Sequence, residues 1–275
     1  MDLSRAQLRR TLSQNFLSNR RAVEQFLSAA DLYPDDLVVE VGAGAGALTS
    51  RIAALVRKVL AFELDPSLAP SLEASVAGQA NVNIVYADFL ESVPPAGPFK
   101  LVSNVPFGST SAVVDWAVEA EGLTAATLIT QLEYAKKRTG AYGRWSKLTV
   151  TTWPDFEWSL RGQIARSNFR PVPSVDAGIL HLARRPAPLL ASQLLPSWRD
   201  LVELGFSGVG GSLFASLCRS HPRLRVAAAF ERCGTPTDAV VAFVTPQEWL
   251  LIFEALGAVD STAWLRPPYM ARRRS

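Results

Sequence analysis

Over the first two thirds of the chain, short apolar runs alternate with stretches whose apolar residues recur at helical spacing. Leu37-Val38-Val39-Glu40-Val41 is a nearly continuous apolar run, the pattern of a strand buried on both faces of a parallel sheet. Gly42-Ala43-Gly44-Ala45-Gly46 follows as a turn, and Leu48 to Leu55 has helical spacing. Lys58 to Glu63 then predicts a strand, Ser67 to Ala77 a helix, Val82 to Tyr86 a strand, Lys100 to Val105 a strand and Ser111 to Glu121 a helix. Ala125 to Thr130, Leu148 to Thr152 and Ala177 to Leu182 are β-branched or apolar enough to add three more strands. Ahead of this series, Arg20 to Ala30 places Val23, Phe26, Leu27 and Ala30 on one helical face.

This alternation predicts an α/β fold with a doubly wound, mostly parallel, Rossmann-like sheet and ligands at the carboxyl ends of its strands. The pattern changes near Arg184-Arg185-Pro186-Ala187-Pro188, which reads as a linker. Beyond it, Gln193 to Phe206, Leu213 to Cys218, Leu224 to Cys233 and Gln247 to Leu256 are all helical. Thr245 caps the last of these and Pro246 sits in its first turn. The expected organisation is a domain over 1–185, with a basic arm at its N-terminus, and a small all-helical domain over 186–275. The tail Ala271-Arg272-Arg273-Arg274-Ser275 is expected to be mobile.

At 275 residues, 48% hydrophobic and 19% charged, the chain suits a soluble globular protein with a large core. Its two cysteines, Cys218 and Cys233, and two histidines, His181 and His221, are too few and scattered for a zinc cluster or a disulfide framework. No secretory signal or membrane span is read from it, so a cytoplasmic location is expected. The net charge of +3 is unevenly spread: +4 over residues 1–21, −9 over 22–125, +6 over 126–185 and +2 over 186–275. Basic segments flanking an acidic block suit a polyanionic partner, although an Arg-rich composition also accounts for part of the excess.

Candidate chemistry lies at the strand ends. The glycine turn lets a ligand approach backbone N–H groups, and Gly42, Gly44 and Ala47 also satisfy a dinucleotide-binding pattern with Glu63 as the ribose acid. Against a nicotinamide enzyme stand the tightness of the turn, the lack of a placed proton donor and Asp88 on the next strand end. Glu63 for ribose and Asp88 for an adenine amine together describe an adenosine pocket. Asn104-Val105-Pro106-Phe107 ends the next strand: an amide acceptor, a carbonyl aimed by the proline after it, and a ring for stacking suit an exocyclic amine on a nucleobase.

The ordered set Gln14-Asn15-Phe16-Leu17, Glu40 to Gly46, Glu63-Leu64-Asp65, Asp88-Phe89, Asn104 to Phe107 and Asn168 to Val175 resembles the S-adenosylmethionine-dependent rRNA adenine N6-methyltransferases. Within them it is most similar to the macrolide-lincosamide-streptogramin resistance (Erm) enzymes that modify 23S rRNA. The resemblance implies S-adenosyl-L-methionine as cofactor, with Asn15 and Leu17 closing over its methionine end and Gly42 and Gly44 passing it by backbone. It assigns Glu63 and Leu64 to the ribose side, Asp88 and Phe89 to the adenine, and Asn104 to the boundary between cofactor and target. Asn104 and the Val105 carbonyl, with Pro106 shaping the turn, would grip the target N6, and Phe107 and Phe169 would stack on the two faces of that base. The implied partner is 23S rRNA, free or immature, met by a monomer with no membrane. Arg5, Arg9, Arg10, Lys136, Lys137, Arg138, Arg144 and Arg166 are the expected RNA contacts. Methylation of 16S rRNA is the close alternative. A non-catalytic nucleic-acid-binding factor of the same fold and an NAD-dependent enzyme are more distant.

Overall fold

The computed structural model describes residues 15–208 and 210–257. Nine strands are present among them: β1 (Phe16–Leu17), β2 (Leu37–Val41), β3 (Lys58–Glu63), β4 (Val82–Tyr86), β5 (Phe99–Asn104), β6 (Leu123–Gln131), β7 (Phe156–Ile164), β8 (Phe169–Arg170) and β9 (Ala177–Arg184). Seven form one sheet in the order β4-β3-β2-β5-β6-β9-β7, while β1 and β8 pair separately. The pairings β4/β3, β3/β2, β2/β5 and β5/β6 are parallel, and β9 runs antiparallel to β6 with Ile129 opposite Ile179. Strand order reverses between β2 and β5, because β3 and β4 extend one way and β5 and β6 the other. A crevice opens at such a point, outside the carboxyl ends of the strands.

The described residues fall into two compact units, 15–135 with 159–184 and 136–158 with 185–257. In the first, the helices Arg20–Ser28, Thr49–Ala53 and Ala69–Ser75 bring Phe26, Ile52 and Leu72 onto Val38, Val59 and Ala61 of the sheet. Asn19 caps the first of these helices by accepting from the Arg21 and Ala22 amides. Helix Thr110–Glu119 buries Val113, Val114 and Ala117. Trp116 on the same helix packs against Phe89 and Phe99 at centroid distances of 4.4 and 6.0 Å.

The second unit is helical. Helices Leu195–Phe206 and Pro246–Ala255 contribute Trp198, Trp249 and Phe253 to a fully buried aromatic core, with Phe206 stacked on Trp249 at 5.7 Å. Gly205 is required there, since a Cβ on it would fall 2.2 Å from the Trp249 ring. The helix beginning at Pro246 carries a full capping box, in which Thr245 accepts from the Glu248 amide and Glu248 accepts from the Thr245 amide.

One expectation needs correction. Leu148 to Thr152, expected as a strand, lies in the helix Lys147–Thr152. The Ser146 hydroxyl caps it by accepting from the Thr149 amide, and Thr152 Oγ1 donates to the Leu148 carbonyl. These local bonds override a β-branched composition. The missing strand is β7, whose Phe156, Trp158 and Ile164 are buried while Glu157, Arg161 and Gln163 are exposed. The expected mobile tail and the arginines of the basic arm, Arg5, Arg9 and Arg10, lie outside the described residues. No helix among the described residues is long and apolar enough to cross a membrane.

Candidate active site

The carboxyl ends of β2, β3, β4 and β5 surround a cavity of about 360 Å³. Asn15, Gly42, Gly44, Glu63, Leu64, Asp88, Phe89, Asn104, Val105, Pro106 and Phe107 all line it. These residues span 93 positions of sequence, and all but Asn15, which precedes β1, come together because each follows or ends a parallel strand pointing the same way.

At the end of β2 the chain turns through Gly42 and Gly44 with φ of 68° and 61°. Gly44 has a second reason to be glycine: a Cβ there would fall 2.8 Å from the Phe16 ring, which also lines the cavity. Its amide donates to Glu63 Oε2 at 2.7 Å, and the Asp65 amide donates to Glu63 Oε1 at 2.7 Å. Two backbone donors thus fix the plane of the buried Glu63 carboxylate, and each oxygen retains a lone pair for a further donor. At the end of β4, Asp88 Oδ1 accepts from the Leu90 amide at 2.9 Å, capping the short 3-10 turn Phe89–Glu91. The second Asp88 oxygen can serve an incoming amine.

Ser103 Oγ donates to the Val41 carbonyl at 2.6 Å, tying β5 to the end of β2 just before Asn104. The Asn104 amide nitrogen donates to the Asn15 carbonyl at 2.7 Å. Because that bond holds the donor end of the amide, Oδ1 becomes the end offered to a ligand. The Pro106 carbonyl accepts from the Ser109 amide at 3.0 Å and from the Ser109 and Thr110 hydroxyls, which closes the turn carrying Phe107.

Glu40, on β2 two residues before Gly42, is buried without a partner for Oε2. Burial raises its carboxyl to about 8; the Thr49 hydroxyl pulls the other way and the Glu63 carboxylate adds to the rise. His181 lies on β9, with Nδ1 2.9 Å from Thr127 Oγ1, and burial lowers it to about 4. It does not line the cavity, so it offers no proton there.

The family profile described as ribosomal RNA adenine dimethylase matches residues 5–257, nearly the whole chain. The chain belongs to that family. An rRNA methyltransferase of Streptomyces thermotolerans is 50% identical over 248 residues, covering 90% of this chain and 83% of that protein. Mycinamicin-resistance protein MyrB of Micromonospora griseorubida is 35% identical over 248 residues, covering 89% and 78%. The crystal structure of the 23S rRNA methyltransferase ErmE superposes with a TM-score of 0.85 at 48% identity, covering 88% of this chain and 100% of that one. The NAD-dependent alternative falls with this membership.

Two expected site residues of this dimethylase-family chain are placed elsewhere. Leu17 packs against the core cluster, and its neighbour Phe16 lines the cavity instead. Successive residues of a strand face opposite ways, so the cavity takes one of the pair. Phe169 is fully buried in the same core, on β8, and offers no open face to a base. Antiparallel pairing of β8 with β1 explains its place: Leu17 opposes Phe169, and the Ser18 amide and hydroxyl both donate to the Asn168 carbonyl. Phe62, Leu90 and Ser109 also line the cavity and were missed. Leu90 alone carried a signal, as a large apolar residue directly after Asp88-Phe89.

Of the expected RNA contacts, Lys137 and Arg144 are exposed. Arg138 donates to the Ser146 hydroxyl at 2.9 Å, and its carbonyl accepts from Thr149, so it braces the capped helix Lys147–Thr152. Arg166 is exposed, and its guanidinium donates to the Ser174 carbonyl at 3.1 Å.

Proposed function

We propose that this chain transfers a methyl group from S-adenosylmethionine to N6 of an adenine in 23S rRNA, giving resistance to macrolide-type antibiotics. The observation that carries the proposal is the oriented Asn104 amide, held by the Asn15 carbonyl in the same cavity as Glu63 and Asp88. Family membership and the likeness to ErmE support the reaction and the RNA, and the likeness to MyrB supports the resistance.

The cavity suits an adenosine. Its volume lies within the usual range for small-molecule sites, two acids stand at neighbouring strand ends, and Phe62 and Phe89 give it an apolar floor. Glu63 would accept from ribose hydroxyls and Asp88 from an adenine amine, while the Gly42–Gly44 turn admits the ligand close to the backbone. When bound, S-adenosylmethionine supplies an electrophilic methyl on a positively charged sulfur.

The chain's own contribution is to position the acceptor nitrogen. An adenine N6 lone pair is delocalised into the ring and is a weak nucleophile. Asn104 Oδ1 and the Val105 carbonyl would accept from the two N6 protons, favouring a pyramidal nitrogen with a directed lone pair. Phe107 would hold the splayed base by stacking. Incubating the protein with labelled S-adenosylmethionine and separate 23S and 16S transcripts, then mapping the label, tests this. Label at one adenine of 23S rRNA is expected; label confined to 16S rRNA would overturn the assignment.

A further inference from the structure

Within the second unit, the segment 141–144 is exposed on every residue and is fastened by the Trp145 amide, which donates to the Ala242 carbonyl at 2.7 Å. That bond brings the segment against the short 3-10 turn Val241–Phe243. Two aromatic rings stand out there, Tyr142 at 48% and Phe243 at 50% exposure, and Val240 beside them is 47% exposed. Each ring carries a cation: Lys136 Nζ lies 5.2 Å from the Tyr142 centroid, and the Arg144 guanidinium lies 5.1 Å from that of Phe243.

Unlike the buried Trp198 and Trp249, these two rings and Val240 gather on one exposed, positively charged segment, and it is such grouping of exposed apolar residues that marks a contact surface. A ring paired with a cation presents a π face and a positive charge at one place. That combination matches an unpaired nucleotide, whose base stacks while its phosphate meets the charge. An acidic protein surface would use the charges but not the two flat rings.

We propose that Tyr142 and Phe243, with Lys136 and Arg144, form a second RNA contact that stacks unpaired nucleotides of the substrate other than the target adenine. This rests on the reading that the substrate is ribosomal RNA. The contact would contribute to RNA affinity and take no part in methyl transfer itself.

The test measures methyl transfer to a 23S rRNA fragment by the wild type, by the double variant Tyr142→Ala with Phe243→Ala, and by Tyr142→Phe with Phe243→Tyr. Loss of stacking should raise the KM for RNA about 5- to 100-fold, leaving kcat and S-adenosylhomocysteine binding unchanged, and the conservative pair should restore it. Ultraviolet cross-linking of thiouridine-substituted RNA to the intact wild-type protein should modify peptides holding Tyr142 or Phe243. An unchanged KM in the double variant, with no such cross-link while the wild type still methylates, overturns this inference alone. Failure of the wild type to label any rRNA overturns the functional reading and this one with it. A defect seen only on protein-containing ribosomal particles would show that the surface meets a protein, and would also overturn it.

Discussion

Asn104 offers one donor end and one acceptor end, and the Asn15 carbonyl takes the donor end at 2.7 Å. Asn104→Ala should therefore leave cofactor binding nearly intact while lowering turnover by about 10²–10³, the usual effect of removing one oriented group from such a site. Asn104→Asp is more telling. It keeps an acceptor for N6 but sets a carboxylate oxygen against the Asn15 carbonyl, so activity should fall although an acceptor remains; wild-type turnover would show that the Asn15 bond does not matter. Glu40 gives a pH prediction. Its folded-state value of about 8 stands above the ordinary value of 4.5, so the folded chain keeps a proton that the unfolded chain gives up. The stabilisation is complete below 4.5 and is lost as pH rises through 8, with a slope of up to ~1.4 kcal/mol per pH unit. Glu40→Gln should flatten that fall in thermal denaturation curves across the same window. An unchanged curve would mean that Glu40 is ionised in the fold.

Elements fix the site where single residues cannot. The turn after β2 depends on Gly44, where a methyl group would meet both a left-handed backbone and the Phe16 ring 2.8 Å away. Gly44→Ala should cost about 1–2 kcal/mol in backbone strain and push Phe16 out of the cavity wall. Calorimetric titration should then show weakened S-adenosylhomocysteine binding, beyond what the loss of stability explains. The capping box of the last described helix provides the contrast. Thr245→Ala should lower stability by ~1 kcal/mol, read from denaturant midpoints, with kcat unchanged. Equal losses of activity in both variants would show that the effects are global.

The charge distribution belongs to the scale of the molecule. Residues 126–185 carry +6, yet the structure divides their cations between different tasks. Arg138 is committed to Ser146, and Arg184 donates to the Leu123 and Ala120 carbonyls, whereas Lys137 and Arg144 are exposed. Reversing Lys136, Lys137 and Arg144 together should weaken RNA binding and reduce its log–log salt slope by roughly 0.7–0.9 for each phosphate no longer neutralised, while cofactor binding is spared. An unchanged slope would place the RNA elsewhere. In cells, expression in a sensitive bacterium should raise macrolide tolerance, and Asn104→Ala should abolish the gain. A primer-extension stop at one adenine of 23S rRNA would show two added methyls, because a doubly methylated N6 keeps no proton for pairing.

Sequence alone was enough for the strands β2 to β6 and β9, the glycine turn and the residues that end the parallel strands. Buried parallel strands read as near-continuous apolar runs, and residues at their carboxyl ends share one side of the sheet whatever lies between them. The same logic made Glu63, Asp88 and Asn104 legible as a group. What only the tertiary structure decided depends on partners distant in sequence. Pairing of β1 with β8 sends Phe16 to the cavity and Leu17 and Phe169 to the core. A cap from Ser146, braced by Arg138, turns a β-branched run into a helix. The direction of the Asn104 amide is of the same kind: the residue type provides a donor and an acceptor, and a carbonyl 89 positions earlier takes the donor end and leaves the acceptor.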